Sequence, residues 1–332
     1  MRRHVTVIVL LWTATTLQFG CSSWEPEPEP ESDPSGAIVS SEATPSVAQT
    51  FSLNLGIYVV NQAGDFVPGL TEENFSIATR YDDLDSVTFT CLEALGERTA
   101  VKGSYSATLL LDQTESIQKT DPYHRRIQAA RIFCNALGAS DYALLSSFSA
   151  DYGPPYVRLH TNYTQDTVQL NDGLDALLAV PDGGTPLLEA TSHMTDYTAE
   201  NAPGTNKAVI VFTDGDDTEG GVSLTELTNQ AIRRGVQLYT VGLGRSVKVD
   251  VLAEMARRTD GAFLWAENAR QLISGFGTLG NLLSGDARYY QTRWEVGYTS
   301  DTLSSGASLV FEVVVTLPND KEFIVPFEVV VP

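Results

Sequence analysis

The feature that most constrains the fold is a buried-strand pattern that ends abruptly in an acid and two hydroxyls. The run 107–111 is apolar except for Thr108, and Asp112, Thr114 and Ser116 follow it at alternate positions. Such a run is typical of a strand that is buried on both faces of a parallel sheet. Ligands of open α/β sheets collect beyond the carboxyl ends of the strands, and this trio offers three oxygens to a hard cation. The same residue types also serve in turns and helix caps, so the trio alone does not establish a metal site.

Two further segments supply comparable oxygen atoms downstream. The apolar run 208–212 is a second buried-strand pattern that is followed within two residues by Asp214, and Thr185 stands between the two strands after a Gly-Gly pair. The five candidate ligands, in chain order, are Asp112, Thr114, Ser116, Thr185 and Asp214. Their order and spacing resemble the metal-ion-dependent adhesion site of von Willebrand factor type A domains. The first loop of that family is usually Asp-x-Ser-x-Ser, so Thr114 is a departure that keeps the hydroxyl.

The resemblance implies different roles for the five residues. Ser116, Thr114 and Thr185 would coordinate Mg2+, or Mn2+ or Ca2+, through hydroxyl oxygens, while Asp112 and Asp214 would act mainly through water. A metal with so few charged ligands stays electrophilic, and in the family an acidic side chain of a protein partner completes the octahedron. The sequence therefore predicts a cation site that is open to a carboxylate.

Residues 104–285 alternate between strand and helix patterns, which predicts an α/β fold with a doubly wound, mostly parallel sheet. The helical patterns cover 122–137, 166–180, 187–200, 224–234, 249–258 and 269–283, and the strand patterns between them include 141–149, 156–160, 236–242 and 262–265. The resemblance to type A domains covers the whole of this region in element order.

The segments on either side of this region favour β-structure. Residues 50–103 open with apolar side chains two apart, and 286–332 contains the alternating runs 309–315 and 323–330. We expect the two flanks to pair into one small β-sandwich-like element, with the metal domain inserted between them. The alternative is two unrelated β appendages.

The amino terminus has the composition of an export signal. A basic head precedes the apolar run 5–12, which is too short to span a bilayer, and Cys21 follows a glycine. Residues 1–20 are therefore predicted to be a cleaved signal peptide. The glycine–cysteine pair resembles the lipobox of bacterial lipoproteins, in which Cys21 would be lipidated, although Gln18 stands where leucine is usual. The alternative is an ordinary secretory signal with an incidental cysteine.

Residues 21–49 are rich in proline and glutamate and then in serine and alanine, a composition that favours an extended, acidic tether. A lipid-anchored domain needs such a tether. Ser22 stands where some enteric bacteria use an aspartate to retain lipoproteins in the inner membrane. The sequence thus predicts an exported protein of the cell envelope, anchored by lipid to the outer membrane, with no other membrane contact.

Charge and motif spacing exclude several function classes. The chain carries 42 acids against 21 bases, a net charge of -21, so it repels phosphate backbones and is not expected to bind nucleic acid. No Gly-x-Ser-x-Gly motif is present, and His124, His160 and His193 show neither metal-ligand nor triad spacing. We therefore expect that the protein is not an enzyme.

Two smaller groups of residues leave alternatives open. Asp216, Asp217 and Glu219 could hold a second cation, but they do not follow the spacing of an EF-hand loop, and a solvated acidic rim is the simpler interpretation. Cys91 and Cys134 could form a disulfide in an exported protein, or both could be buried free thiols.

The function that follows from these expectations is divalent-cation-dependent recognition or adhesion, in which a protein ligand supplies an acidic residue to the metal. The alternative is a structural scaffold subunit of an envelope complex whose ion only stabilises the loops. Removal of the metal separates the two hypotheses, because chelation abolishes ligand capture only in the first.

Overall fold

The computed structural model describes residues 32–46, 49–79, 87–98, 102–277, 279–285, 287–298 and 304–332. The strands are β1 (Ser35–Pro45), β2 (Thr50–Val60), β3 (Phe75–Thr79), β4 (Thr88–Arg98), β5 (Ser106–Asp112), β6 (Tyr142–Phe148), β7 (Val157–Leu159), β8 (Lys207–Thr213), β9 (Val236–Leu243), β10 (Phe263–Ala266), β11 (Arg288–Gly297), β12 (Ser308–Thr316) and β13 (Glu322–Val330). The helices are α1 (Ile117–Thr120), α2 (Arg125–Asn135), α3 (Thr167–Asp175), α4 (Leu187–Asn201), α5 (Leu224–Arg234), α6 (Val249–Arg258), α7 (Ala269–Gly277) and α8 (Leu279–Ser284).

Most strands belong to a ten-stranded sheet with the order β4-β11-β2-β1-β10-β9-β8-β5-β6-β7. The neighbours from β10 to β6 run parallel, and every residue of β5 is buried. Leu109 and Leu111 face one apolar core with α2 and α7, whereas Leu110 faces the core that α4, α5 and α6 cover. Burial on both faces explains the continuous apolar run of β5. The predicted α/β fold class is confirmed.

The other half of the ten-stranded sheet is antiparallel and packs against a second sheet. β11 pairs with β2 and with β4, and the three-stranded sheet has the order β13-β12-β3. A third apolar core lies between the two sheets, with Phe51, Leu53 and Trp294 on one side and Phe311 and Phe327 on the other. The two chain flanks thus share both sheets, as a sandwich requires.

Strand β1 corrects the predicted tether. The composition assigned residues 21–49 to an extended linker, but Ser35–Pro45 pairs along its length with β2 and at Ala37 and Ile38 with β10. The glycine at position 36 of β1 has a physical reason, because both its neighbour β2 and the second sheet come close to it. A Cβ atom there would lie 2.6 Å from the Tyr58 carbonyl oxygen of β2 and 2.9 Å from the Phe323 ring of β13. The predicted signal peptide, Cys21 and the start of the tether lie outside the described residues.

The described residues also bear on the cysteines and on membrane contact. Cys91 and Cys134 are both free thiols, the first partly buried and the second buried. Burial raises the pKa of both thiols, which disfavours the reactive thiolate. Within the part of the chain that the structure describes, no helix is long and apolar enough to cross a membrane.

Candidate metal centre

The predicted ligands meet at one edge of the parallel half-sheet. β5 and β8 are parallel neighbours with Leu111 opposite Phe212, so the residues that follow both strands emerge side by side. Asp112 is the last residue of β5, and Asp214 follows β8 directly. Thr185 reaches the same edge from the loop before α4, where the amide of Glu115 donates to the Gly183 carbonyl at 3.1 Å.

Direct contacts link the five side chains into one cluster. The Ser116 hydroxyl donates to Asp214 Oδ1 at 2.7 Å and lies 3.2 Å from Thr114 Oγ1. The Thr185 hydroxyl lies 3.4 Å from the same Thr114 oxygen. Asp112 accepts the Thr114 amide at 2.9 Å. Three hydroxyls and two carboxylates therefore share one small volume, which is the donor set that a hard cation prefers.

Both carboxylates of the cluster are almost fully buried, since Asp112 is 0% and Asp214 1% exposed. Burial, followed by the negative charge of Asp214, raises the pKa of Asp112 to about 6, although hydrogen bonds from Thr114 and Thr213 lower it in part. Two buried carboxylates, of which one raises the pKa of the other by its negative charge, form an electrostatically unfavourable arrangement. A bound divalent cation would relieve it, so the chemistry of the site fits a metal.

Three threonines that the sequence did not single out complete the cluster. The Thr213 hydroxyl donates to Asp112 Oδ2 at 2.7 Å, and Thr120 donates to Asp214 Oδ2. The Thr218 hydroxyl accepts a hydrogen bond from the amide of Thr185 at 2.8 Å and so joins the loop after β8 to the loop before α4. A signal for Thr120 was present, because it lies four residues after Ser116 and faces the same side of a helical turn. Thr213 and Thr218 carry no comparable pattern.

The glycines around the cluster keep it open. Gly183 has φ +83°, which favours glycine, and a Cβ atom there would lie 2.6 Å from the Ser149 hydroxyl. A Cβ atom on Gly215 would instead lie 3.8 Å from Thr185 Oγ1 and 3.9 Å from Ser116 Oγ. A side chain at position 215 would therefore extend over the hydroxyls, and glycine leaves the space above them open.

These observations agree with the family comparison. The family model described as von Willebrand factor type A domain matches residues 108–275, just over half of the chain, and includes all five candidate ligands. The chain belongs to the von Willebrand factor type A domain family. No curated protein matches the sequence.

Solved type A structures resemble the chain at low sequence identity. Proximal thread matrix protein 1 from the mussel byssus is 17% identical with a TM-score of 0.47, and the match covers 56% of this chain and 49% of that one. A von Willebrand factor type A protein from Catenulispora acidiphila is 10% identical with a TM-score of 0.47, covering 90% and 75%. The pilus adhesin SpaC from Lactobacillus rhamnosus GG is 11% identical with a TM-score of 0.45, covering 89% and 48%. This chain thus spans about half the length of the mussel protein.

A buried ion pair holds the first loop of the type A domain in place. Arg126 is fully buried, donates to Asp121 at 2.9 Å and donates to Gln113 Oε1 at 2.7 Å. Gln113, which lies between two candidate ligands, in turn donates to the Leu177 and Ala179 carbonyls at 3.2 and 2.7 Å. This chain of contacts fixes the loop against the segment after α3.

Two of the three acidic residues that follow Asp214 make different contacts. Asp217 accepts the amides of Leu188 and Gly220, both at 3.1 Å, and so supports the start of α4. Asp216 lies 3.6 Å from the ammonium group of Lys248. Among the described residues no three His, Cys, Asp or Glu side chains converge on a metal position. The arrangement of these acids favours the acidic rim over a second cation site.

One serine–histidine pair lies close to the cluster. The Ser147 hydroxyl is 2.8 Å from His160 Nε2 and 3.1 Å from the Tyr152 hydroxyl. Ser147 is fully buried, so a substrate cannot reach its oxygen. Burial and then the charge of Arg158 lower the pKa of His160, which favours the neutral imidazole. The pair is better suited to fixing the β6–β7 hairpin than to nucleophilic catalysis.

Proposed function

We propose that this type A domain protein recognises a protein partner through a divalent cation, Mg2+ or its relatives Mn2+ and Ca2+. Thr114, Ser116 and Thr185 hold the cation by their hydroxyls, and Asp112 and Asp214 balance its charge. When bound, the ion supplies a Lewis-acidic position that accepts a carboxylate from the partner. The protein is not an enzyme in this proposal.

The observation that carries the proposal is the way in which the two carboxylates are already engaged. Asp112 accepts a backbone amide and the Thr213 hydroxyl, and Asp214 accepts from Ser116 and Thr120. Carboxylates that are held by these hydrogen bonds are oriented to act on the cation mainly through water, while the hydroxyls coordinate it directly. The cation then has mainly neutral oxygens around it and keeps its attraction for an external anion.

Access to the site supports recognition of a macromolecule. Ser116 and its neighbour Glu115 are exposed, whereas Thr114 and Thr185 are buried just beneath them. Gly215 leaves the space above the hydroxyls free. The cation would thus sit at the surface on a rigid support, where a side chain of a docked protein can reach it.

We further propose that the protein is exported and acts in the cell envelope. The basic and apolar amino terminus and Cys21 support a signal peptide of 1–20 and a lipid anchor in the outer membrane. Residues 35–45 of the segment that the composition assigned to the tether belong to β1.

The alternative proposal is a scaffold subunit whose ion only stabilises the loops. The hydrogen bonds that already join the three loops favour it, because they hold the site together through protein contacts. The exposed Ser116 and the free space beside Gly215 favour recognition instead. Chelation should abolish partner binding in the first proposal and leave it intact in the second.

The cation site is tested by calorimetric titration of Mg2+, Mn2+ and Ca2+ into the full chain. We expect one saturable site, and we expect Asp112→Asn and Thr185→Val to weaken it by at least about tenfold. Thr191→Val is the matched control, because it removes a buried hydroxyl whose bond is to the Leu187 carbonyl in α4. Equal affinity in the wild type and in Thr185→Val would refute the assigned site.

A further inference from the structure

A cleft of about 310 Å³ adjoins the metal centre on the side of the β6–β7 hairpin. Two of its lining residues connect it to the candidate metal loops. Gln113 lies between Asp112 and Thr114, and the amide of Asp182 donates to the Gln113 carbonyl at 3.1 Å. The volume falls at the lower end of the range for pockets that take small ligands, roughly 300–1,000 Å³. Because the cleft borders the candidate metal loops, it lies within reach of a protein that is docked on the cation.

One wall of the cleft is apolar and unusually exposed. It belongs to the segment 176–180 after α3, in which Ala176, Ala179 and Val180 line the cleft and are exposed, Val180 to 76%. The two bonds from Gln113 to the backbone of this segment hold it in place. Solvent exposure of adjacent apolar side chains on a fixed backbone is typical of a contact surface.

The cleft also presents a cation that has no acidic partner among the described residues. Arg158 lines the cleft, is exposed, and its guanidinium lies 4.2 Å from the centre of the Tyr152 ring. One face of the planar guanidinium is thus already stacked on an aromatic ring. Arginine commonly accepts a second ring on its other face.

The charges around the cleft decide which side chain it favours. Asp151 and Asp182 also line it, so a second carboxylate would meet two negative charges and only one positive charge. A lysine or arginine would gain from the two carboxylates but lose against Arg158, and its charged group would not use the apolar wall at Val180. A neutral aromatic side chain avoids both penalties, because it packs against Val180 and stacks on the guanidinium.

We propose that this cleft receives an aromatic side chain of the same protein partner whose acidic residue binds at the metal centre. The proposal rests on the proposed cation-dependent recognition. The partner segment then carries two anchors, an acid for the ion and a phenylalanine, tyrosine or tryptophan for the cleft. The cleft supplies specificity that the ion alone does not give, since any exposed carboxylate could approach a cation.

The test uses a displayed library of random dodecapeptides as the probe. The library is selected on the immobilised full chain in Mg2+, and bound peptides are released with EDTA. We expect the released sequences to pair an aspartate or glutamate with an aromatic residue. Selection of a second acid or of a basic residue in place of the aromatic residue would overturn the inference about the cleft.

Substitutions then locate the aromatic contact. For one selected peptide, Arg158→Gln should weaken binding about fivefold and Val180→Ser about threefold, because a cation–π contact and buried methyl groups are lost. Both residues are exposed, so the fold should tolerate both changes. The matched controls are Arg233→Gln, an exposed arginine at the end of α5, and Val168→Ser, an exposed valine at the start of α3. We expect the controls to bind like the wild type.

A double-mutant cycle separates the outcomes. Replacing the aromatic residue of the peptide by alanine should weaken binding to the wild type more than binding to Arg158→Gln, because the two groups contact each other. Additive effects would overturn the cleft proposal while cation-dependent recognition stands. A selection that yields no EDTA-released peptide would overturn recognition itself and the cleft proposal with it.

Discussion

The parallel half and the antiparallel half of the ten-stranded sheet have different roles. In the parallel half, β5 and β8 end at one edge, so the loops that follow them bring Asp112 and Asp214 together. In the antiparallel half, β2 and β11 run in opposite directions, and successive strand ends lie at opposite edges. The difference explains why the candidate site is confined to the parallel half, while the antiparallel half contributes a buried apolar core.

The two halves are nevertheless joined by one strand. Ala37 of β1 belongs to the core of the parallel half, and its neighbour Ile38 belongs to the core of the sandwich. A second link is the ion pair between Arg257 of α6 and the buried Glu328 of β13, at 3.1 Å. Loss of packing in the sandwich should therefore lower the stability of the whole molecule, whereas the chemistry of the metal centre should be affected only locally.

The largest expected effect comes from the sandwich core. Trp294 is 1% exposed, and its ring N–H donates to Thr292 at 2.8 Å. We expect Trp294→Ala to lower the free energy of unfolding by about 4 kcal/mol, with the affinity for Mg2+ unchanged where the protein is still folded. Urea unfolding and calorimetry measure the two quantities. Trp294→Phe is the control with a smaller loss, and a folded variant without metal binding would contradict the separation of roles.

The next largest expected effect concerns both the free energy of unfolding and the affinity of the metal centre. Arg126→Met leaves Asp121 buried without its cation and releases Gln113, so we expect a loss of about 3 kcal/mol in unfolding free energy. Because Gln113 orients the first loop, the affinity for Mg2+ should fall as well. Arg131→Met is the matched control, since its ion pair with Asp175 is exposed and worth little. Unchanged metal affinity in Arg126→Met would show that the loop does not depend on this network.

A smaller effect is the pH dependence of metal binding. The pKa of Asp112 is raised to about 6, so protons compete with the cation below that pH. The apparent dissociation constant for Mg2+ should rise about tenfold for each pH unit below 6 and stay constant above it. The stability of the metal-free protein has the opposite dependence: Asp112 destabilises the fold as the pH rises from 3.8 towards 6. Titrations in Asp112→Asn, which lacks this carboxyl group, are the comparison.

Much of the parallel half could be predicted because its signals are local. Buried parallel strands read as apolar runs, and the helix predicted over 249–258 coincides with α6. The side chains at the ends of β5 and β8 follow from the rule that ligands collect at the carboxyl edge. Arg126 could not be predicted as a buried residue, because its burial depends on Gln113 and Asp121 reaching it in three dimensions.

The sandwich half was harder to predict for a related reason. β1 has the sequence Ser-Gly-Ala-Ile-Val-Ser-Ser-Glu-Ala-Thr-Pro, which resembles a linker in composition. Its Gly36 is required by the close approach of β2 and of the second sheet, and that approach is a property of the tertiary fold. A domain boundary drawn at Thr50 would remove this strand and expose the edges of β2 and β10.

The most direct test of the metal centre is the anomalous scattering of Mn2+ in a crystal of the full chain. We expect one strong peak within coordination distance of the hydroxyls of Ser116, Thr114 and Thr185, and we expect that the peak is lost in Asp112→Asn. A peak beside Asp216 and Glu219 instead, or a peak that persists unchanged in the variant, would contradict the assignment of these five residues as the cation site.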